Sequence, residues 1–393
     1  MASIGLVALD TEGKWVGGRY YLQHLVKAVA SLPPDERMPL CDVWWQRRSA
    51  EDPFAEVRSR LAESVILSPP VGLRDRLQRK LRRAFHGWAD ARDLFLDAGV
   101  GVLFPVSPCE HPGVPVVFWL SDFQYLHLPE LFGEELCRWY AEYFKSNVAK
   151  AQLVVVSSEH ALNDLRRQFP EAVDRTRVLN FCSVPDASWF DVDPARAAEQ
   201  HGLGGKFLIL SNQFSHHKNH GTVFEAVRIL KHAGHDVCVA CTGSTWGFRG
   251  QDYFLGLEEL IRRHGLAENI RILGMLPREE QIALTRRAIA MLQPSAFEGW
   301  STAVEDGRTL GKIVLASGID VHREQLGALH PHYLDTYDAQ AWAAAMLAVW
   351  DAEAPGPDPA AEARALAGLE MRSAATGRRF HASMKEAMAG SQR

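Results

Sequence analysis

The feature that most constrains this chain is an end-to-end alternation of short aliphatic, β-branched runs with helix-length amphipathic stretches. Strand-like runs fall at residues 4–9, 100–104, 114–120, 153–157, 177–179, 207–211, 237–242, 270–273, 290–293 and 313–316. Helical spacing fills 18–30, 134–149, 159–168, 222–232, 255–263, 279–287 and 302–310. Such a βαβα succession predicts parallel sheets covered by helices on both faces. The length, 393 residues, is enough for two such domains. A Pro-, Asp- and Gly-rich shift at 184–205 reads as the linker between them, which predicts a first domain over 1–190 and a second over 200–372. A second loose stretch, 352–360, precedes a polar C-terminal helix expected at 373–393. Open α/β sheets bind ligands at the carboxyl ends of their strands, so two facing domains would line a cleft with strand-exit loops.

Composition removes several function classes. The formal net charge is −5, whereas a dedicated nucleic-acid binder is usually basic. The six cysteines, at 41, 109, 137, 182, 238 and 241, are too scattered for a disulfide framework. The first residues lack a basic n-region, and Asp10 and Glu12 interrupt their apolar run, so no signal peptide is predicted. The longest apolar stretches, 114–120 and 341–350, are too short to span a bilayer. A reduced, cytoplasmic protein is expected.

The segment 294–312, PSAFEGWSTAVEDGRTLGK, carries the strongest chemical signal. A strand runs into Glu298 and Gly299, and then Ser301 and Thr302 open a helix with acids placed for a capping box. Read plainly, this is a well-capped loop. Two features go further. Gly299 permits close backbone approach to a ligand, and the helix start presents free N–H groups and a positive dipole end suited to phosphate.

These residues resemble the signature of glycosyltransferase family 4, retaining enzymes of the GT-B fold. That signature is an acid, Gly and an aromatic, here Glu298, Gly299 and Trp300, with seven residues in all between the first acid and a second. The second acid falls on Asp306, where the family usually has Glu, with Glu305 beside it. The resemblance implies that Glu298 binds donor-sugar hydroxyls and that Asp306 or Glu305 binds the nucleotide ribose. Gly17 and Gly18, ahead of Tyr20 and Tyr21, look like the family's glycine loop after the first strand. In 211–220, SNQFSHHKNH, Lys218 and Asn219 match the diphosphate-contacting Lys and its neighbour; Gln213 stands where many members have Arg. In the strand-exit loop of 116–130, Ser121-Asp122 replaces the family's His-Asp, making Asp122 the candidate polar contact at the reacting centre. His127, six residues beyond Ser121, reads as a surface or core histidine. The loops at 243–249, beginning with Gly243, and at 274–277 resemble the base-binding side. DVHREQ at 320–325 is common among members making bacterial surface polysaccharides.

The spacing of His216, His217 and His220 matches no zinc pattern, and no metal or other cofactor is expected. A basic amphipathic helix is predicted at 73–93, where seven Arg/Lys against three Asp give +4. It reads equally as an anionic-membrane contact or as a solvated domain helix. The resemblance implies a GT-B architecture of two Rossmann-like domains, with the C-terminal helix crossing back to the first. It further implies retaining transfer of a hexose, mannosyl- or rhamnosyl-type, from a nucleotide-diphosphate sugar such as a GDP-sugar. The expected acceptor is a lipid-linked saccharide at the inner face of a bacterial inner membrane, in polysaccharide or lipopolysaccharide synthesis. The alternatives are a catalytically silent sugar-nucleotide-binding protein or another GT-B enzyme such as an epimerase.

Overall fold

A computed structural model describes residues 2–7, 16–44, 52–62, 64–66, 95, 97–107, 113–246 and 251–390. The chain divides into two compact units, one of Met1–Cys182 with Met371–Arg393 and one of Ser183–Glu370.

The first unit runs β1 (Ser3–Val7), α1 (Val16–Ala30), β2 (Leu40–Trp44), β3 (Val65–Ile66), β4 (Val100–Phe104), β5 (Val117–Leu120), α2 (Gln124–His127), α3 (Gly133–Lys150), β6 (Leu153–Val156), α4 (Glu159–Gln168) and β7 (Thr176–Val178). All its strand pairs are parallel, in the orders β3-β2-β1-β4 and β5-β6-β7, and a parallel bridge from Leu103 to Val116 joins the two ladders. β6 is LVVV and every residue in it is buried, as in a strand covered on both faces. β2 was not visible as a strand because Asp42 interrupts its apolar run. That carboxylate is buried, paired with Arg58 at 2.6 Å, and accepts from Ser64 Oγ at 2.7 Å.

The second unit contains α5 (Pro194–Gln200), β8 (Leu208–Ser211), α6 (His220–His232), β9 (Val239–Thr242), α7 (Asp252–Arg263), β10 (Ile270–Gly274), α8 (Arg278–Arg287), β11 (Met291–Gln293), α9 (Thr302–Thr309), β12 (Val314–Ser317), α10 (Asp320–Leu326), β13 (Tyr333–Leu334) and α11 (Ala339–Ala352). Its sheet is wholly parallel, ordered β10-β9-β8-β11-β12-β13. Strand alternation feeds two cores. Leu208 and Leu210 pack with Phe224, Val227, Trp342 and Met346. Phe207 and Ile209 pack with Ala197, Leu284, Met291 and Val314. The order reverses between β8 and β11, which is where doubly wound sheets hold their ligands.

The segment 184–205 is not a free linker. It forms a 3-10 turn, Ala187–Phe190, then α5, whose Asp193 cap accepts from Ala195 N at 2.9 Å ahead of Pro194. Trp189, Ala197, Ala198 and Leu203 are buried, so the segment belongs to the second unit. Asp193-Pro194 is a helix-start signal that a linker reading of the same composition overlooks.

The C-terminal helix is longer than expected: α12 covers Pro359–Gly390. Glu362 pairs with Arg286 at 2.8 Å within the second unit. From Met371 onward it belongs to the first unit, where Phe380 packs edge-on against Phe104 and Arg378 pairs with Glu36 at 2.7 Å. A Cβ on Gly377 would stand 2.7 Å from the Ala28 carbonyl oxygen, so glycine lets α12 lie directly on α1.

Candidate functional site

In the second unit the loops leaving β8 and β11 meet through a charged pair. After β8 a short 3-10 turn, His216–Lys218, ends on Asn219, which adopts a left-handed backbone with φ 53°. Asn tolerates that region better than other side-chain-bearing residues. Its amide donates to the carbonyls of Pro294 at 3.1 Å and Thr336 at 2.7 Å, and its Oδ1 accepts from Thr222. Asn219 thereby ties three loops together, and Lys218 is carried on that knot. Lys218 Nζ donates to both carboxylate oxygens of Glu298, at 2.6 and 2.8 Å.

Glu298 is almost enclosed, its side chain only 6% exposed. Gln293, the last residue of β11, donates to it at 2.9 Å and accepts from Asn212 at 2.9 Å. Burial alone would raise the Glu298 carboxyl, but chiefly the Lys218 ammonium holds it below its ordinary value. The carboxylate is therefore ionised at neutral pH despite its enclosure.

His322, in α10, is fully buried and its Nδ1 lies 2.9 Å from the Ser317 carbonyl. That contact assigns the proton to Nδ1 and leaves Nε2 as an acceptor, without a hydrogen-bond partner among the described residues. Burial pulls its pKa down to about 4, and burial with neighbouring Lys218 does the same for His217.

The helix start beyond Glu298 is braced from behind. Ser301 caps α9 through Oγ, which accepts from Val304 N at 3.3 Å. Gln325 grips the same residue twice, accepting from Ser301 N at 3.1 Å and donating to Ser301 O at 3.0 Å. Gly299, Trp300 and Thr302 are partly exposed on this loop, so the N-terminal end of α9 is accessible. Gly243, at the exit of β9, has φ 134°, and a Cβ there would sit 2.2 Å from the Asn212 carbonyl oxygen. Only glycine lets the β8 and β9 exits approach so closely. Gln213 is exposed and donates to the Trp246 carbonyl at 2.9 Å.

The second acid of the signature lies elsewhere. Asp306 is buried, accepting from Arg278 at 2.6 and 2.8 Å and from Ser183 Oγ at 2.6 Å. Arg278 in turn stacks over Trp189 at 4.7 Å. Glu305 is fully buried as well, its Oε1 engaged by Arg308 at 2.7 Å and Gln325 at 3.1 Å. Both expected ribose contacts are thus built into the unit's interior. Successive helix residues diverge by about 100°, so Asp306 turns towards α8 and Glu305 towards α10.

The remaining candidates belong to the first unit. Gly17 and Gly18 are in the first turn of α1 rather than in the loop before it. Asp122 follows β5 and accepts from Gln124 N at 3.0 Å, starting α2. The basic stretch 73–93 lies outside the described residues, as do 247–249 of the expected base loop. Among the described residues no helix is long and apolar enough to cross a membrane. Reading the sequence did not single out Gln293, Asn212 or Arg278. Gln325 and His322 lay inside a recognised motif without an assigned role.

Residues 191–363 match the family model described as glycosyl transferases group 1. No curated protein matches the chain. HepE of Anabaena, solved in complex with UDP-glucose, superposes with a TM-score of 0.64 at 16% identity, covering 100% of both chains. A glycosyltransferase of Rickettsia africae gives 0.62 at 14% identity, covering 98% of this chain and 96% of that one. Sucrose-phosphate synthase of Thermosynechococcus elongatus gives 0.61 at 14% identity over 98% and 96%. The fold is GT-B.

Proposed function

We propose that this protein is a retaining glycosyltransferase that moves a hexose from a nucleotide-diphosphate sugar to a saccharide acceptor. The observation that carries the reading is the enclosed Lys218–Glu298 pair, set where the sheet order reverses in the stretch that matches the group 1 model. Glu298, ionised and held by Gln293, accepts hydrogen bonds from donor-sugar hydroxyls. Lys218, with the free N–H groups at the start of α9, stabilises charge on the departing diphosphate. Preorganised donors aimed at developing charge lower a barrier because they need no reorganisation during the reaction. A diphosphate outcompetes one carboxylate for Lys218, so donor binding redirects the ammonium while Gln293 keeps Glu298 in place. Protein groups then supply the positive charge, and the reading calls for no metal ion. By resemblance, Asp122 is assigned to a polar contact at the reacting centre and the start of α1 at Gly17 and Gly18 to the donor phosphates.

For the finer identity we propose a mannosyl- or rhamnosyl-type donor and a lipid-linked acceptor in bacterial polysaccharide or lipopolysaccharide synthesis. The Gly-Trp-Ser-Thr and DVHREQ segments support this by resemblance. The basic stretch 73–93 would seat the protein on the inner face of an anionic membrane. HepE was solved with UDP-glucose, so the decisive assay compares UDP- and GDP-linked hexoses, with and without lipid-linked acceptor. Transfer with the anomeric configuration of the donor kept, read by NMR of the product, is the expected result. Donor binding without transfer or slow hydrolysis would instead establish a silent sugar-nucleotide-binding protein.

A further inference from the structure

In the first unit two histidines and an aspartate converge. His127 ends α2, and His160 and Asp164 stand one turn apart on α4, a spacing that puts both on one helix face. One ring nitrogen of each histidine and a carboxylate oxygen of Asp164 all lie within 4.8 Å of one another. Asp164 Oδ2 is 2.7 Å from His127 Nε2 and 3.7 Å from His160 Nε2.

From this cluster we infer a binding site for a divalent transition-metal ion of the zinc type, held by His127, His160 and Asp164. His160 turns its nitrogen to the same oxygen at a distance too long for a hydrogen bond. Three donors pointing at one small volume is what a shared ion requires. Zinc bonds of about 2.0–2.2 Å in a tetrahedral shell place neighbouring donors about 3.3–3.6 Å apart. The pair at 3.7 Å lies just above that range and the pair at 2.7 Å below it, so small swings of the two rings bring both to ligand spacing. The charge also fits. Asp164 is only 5% exposed, and the permanent cation beside it, Arg167 at 3.4 Å, is largely in solvent and screened. Two neutral imidazoles and one carboxylate form a donor set suited to zinc, leaving a fourth position for water on the partly exposed His127 side.

The site has a structural consequence for the strand-exit loop. α2 has four residues and no side-chain cap, and it begins two residues after Asp122. An ion would staple that loop to α4 and fix the backbone that carries Asp122. Binding here is independent of the proposed transfer reaction, so failure of either leaves the other standing.

The test uses the untagged full-length protein, freed of metal with EDTA, and zinc alone as the probe. Calorimetric titration is expected to show one saturable site per chain and zinc to raise the melting temperature. Co²⁺ in its place should give the visible absorption bands of a coordinated ion. His127→Ala and His160→Ala, checked for folding by circular dichroism, should each abolish both signals, while a His216→Ala/His217→Ala variant keeps them. Absence of saturable zinc binding overturns the inference, as does equal binding by wild type and the folded His127→Ala and His160→Ala variants.

Discussion

Lys218 and Glu298, eighty residues apart in the chain, are joined by two hydrogen bonds of 2.6 and 2.8 Å. Neither charge is stable in that enclosure without the other, because an unpaired buried ion costs several kcal/mol. Lys218→Met should therefore destabilise the protein by about 3 kcal/mol. Adding Glu298→Gln should recover most of that loss, since both charges are then gone. Transfer should fall at least a hundredfold in either single variant and stay low in the pair. Urea unfolding beside a transfer assay separates the two effects; transfer restored along with stability would remove the pair from the reaction.

Gln325 is the brace of the α9 entrance, and its loss should be felt as weakened diphosphate binding. Gln325→Ala frees both backbone groups of Ser301 that it holds. Affinity for a nucleoside diphosphate is expected to drop roughly tenfold, equivalent to about 1.4 kcal/mol. Titration calorimetry reads this directly, and unchanged affinity in a folded variant would show that the capped loop holds its shape unaided.

Arg278 and Asp306 are expected to matter to folding and not to the nucleotide. Arg278→Met leaves Asp306 buried without its cation and should cost about 3–5 kcal/mol. Arg278→Met with Asp306→Leu should be far more stable than the single variant. If the folded double variant loses nucleotide affinity, Asp306 does serve the ribose after all.

Acid should unfold this protein through its buried histidines. His220, stacked on Phe214, is driven down to about 3 and His322 to about 4, chiefly by burial. A histidine whose folded pKa lies below its unfolded value of about 6.5 binds its proton preferentially in the unfolded chain. Stability is then fully present above about pH 6.5 and falls as pH drops towards 4, by on the order of 3 kcal/mol per residue. Melting temperature measured from pH 7.5 to 4.5 should decline steeply, and His220→Phe should flatten the curve. An identical slope in that variant would place the acid sensitivity elsewhere.

Membrane seating through 73–93 is tested by flotation with anionic vesicles. Wild type should float, and Arg79, Lys80, Arg82 and Arg83 changed together to Glu should stay in solution, more so at low salt. Equal flotation by the two would remove the role.

Ten of the strands were legible, most of them because they are apolar runs of a parallel sheet buried on both faces, such as β6 and β8. β2, β3 and β13 were not. Asp42 breaks the pattern of the first, and the other two have only two residues each. Glu298 and Lys218 were legible as candidates by their motif and loop positions. Gln293 was not, because a glutamine closing a strand carries no signal until the carboxylate it supports is in place.

Local patterning alone thus determined the α/β class, the parallel sheets and the loops that carry the candidate residues. Periodicity and caps act over a few neighbours, and a chain displays them without being folded. The tertiary structure decided which charges pair. Glu298 remains ionised because Lys218 reaches it, and Asp306 is committed to Arg278, though the two acids belong to one signature. The folding of 184–205 onto the second unit was decided in the same way. Each outcome depends on distance and burial between residues far apart in the chain. Coulombic and desolvation energies are set by those two quantities, and a sequence displays neither.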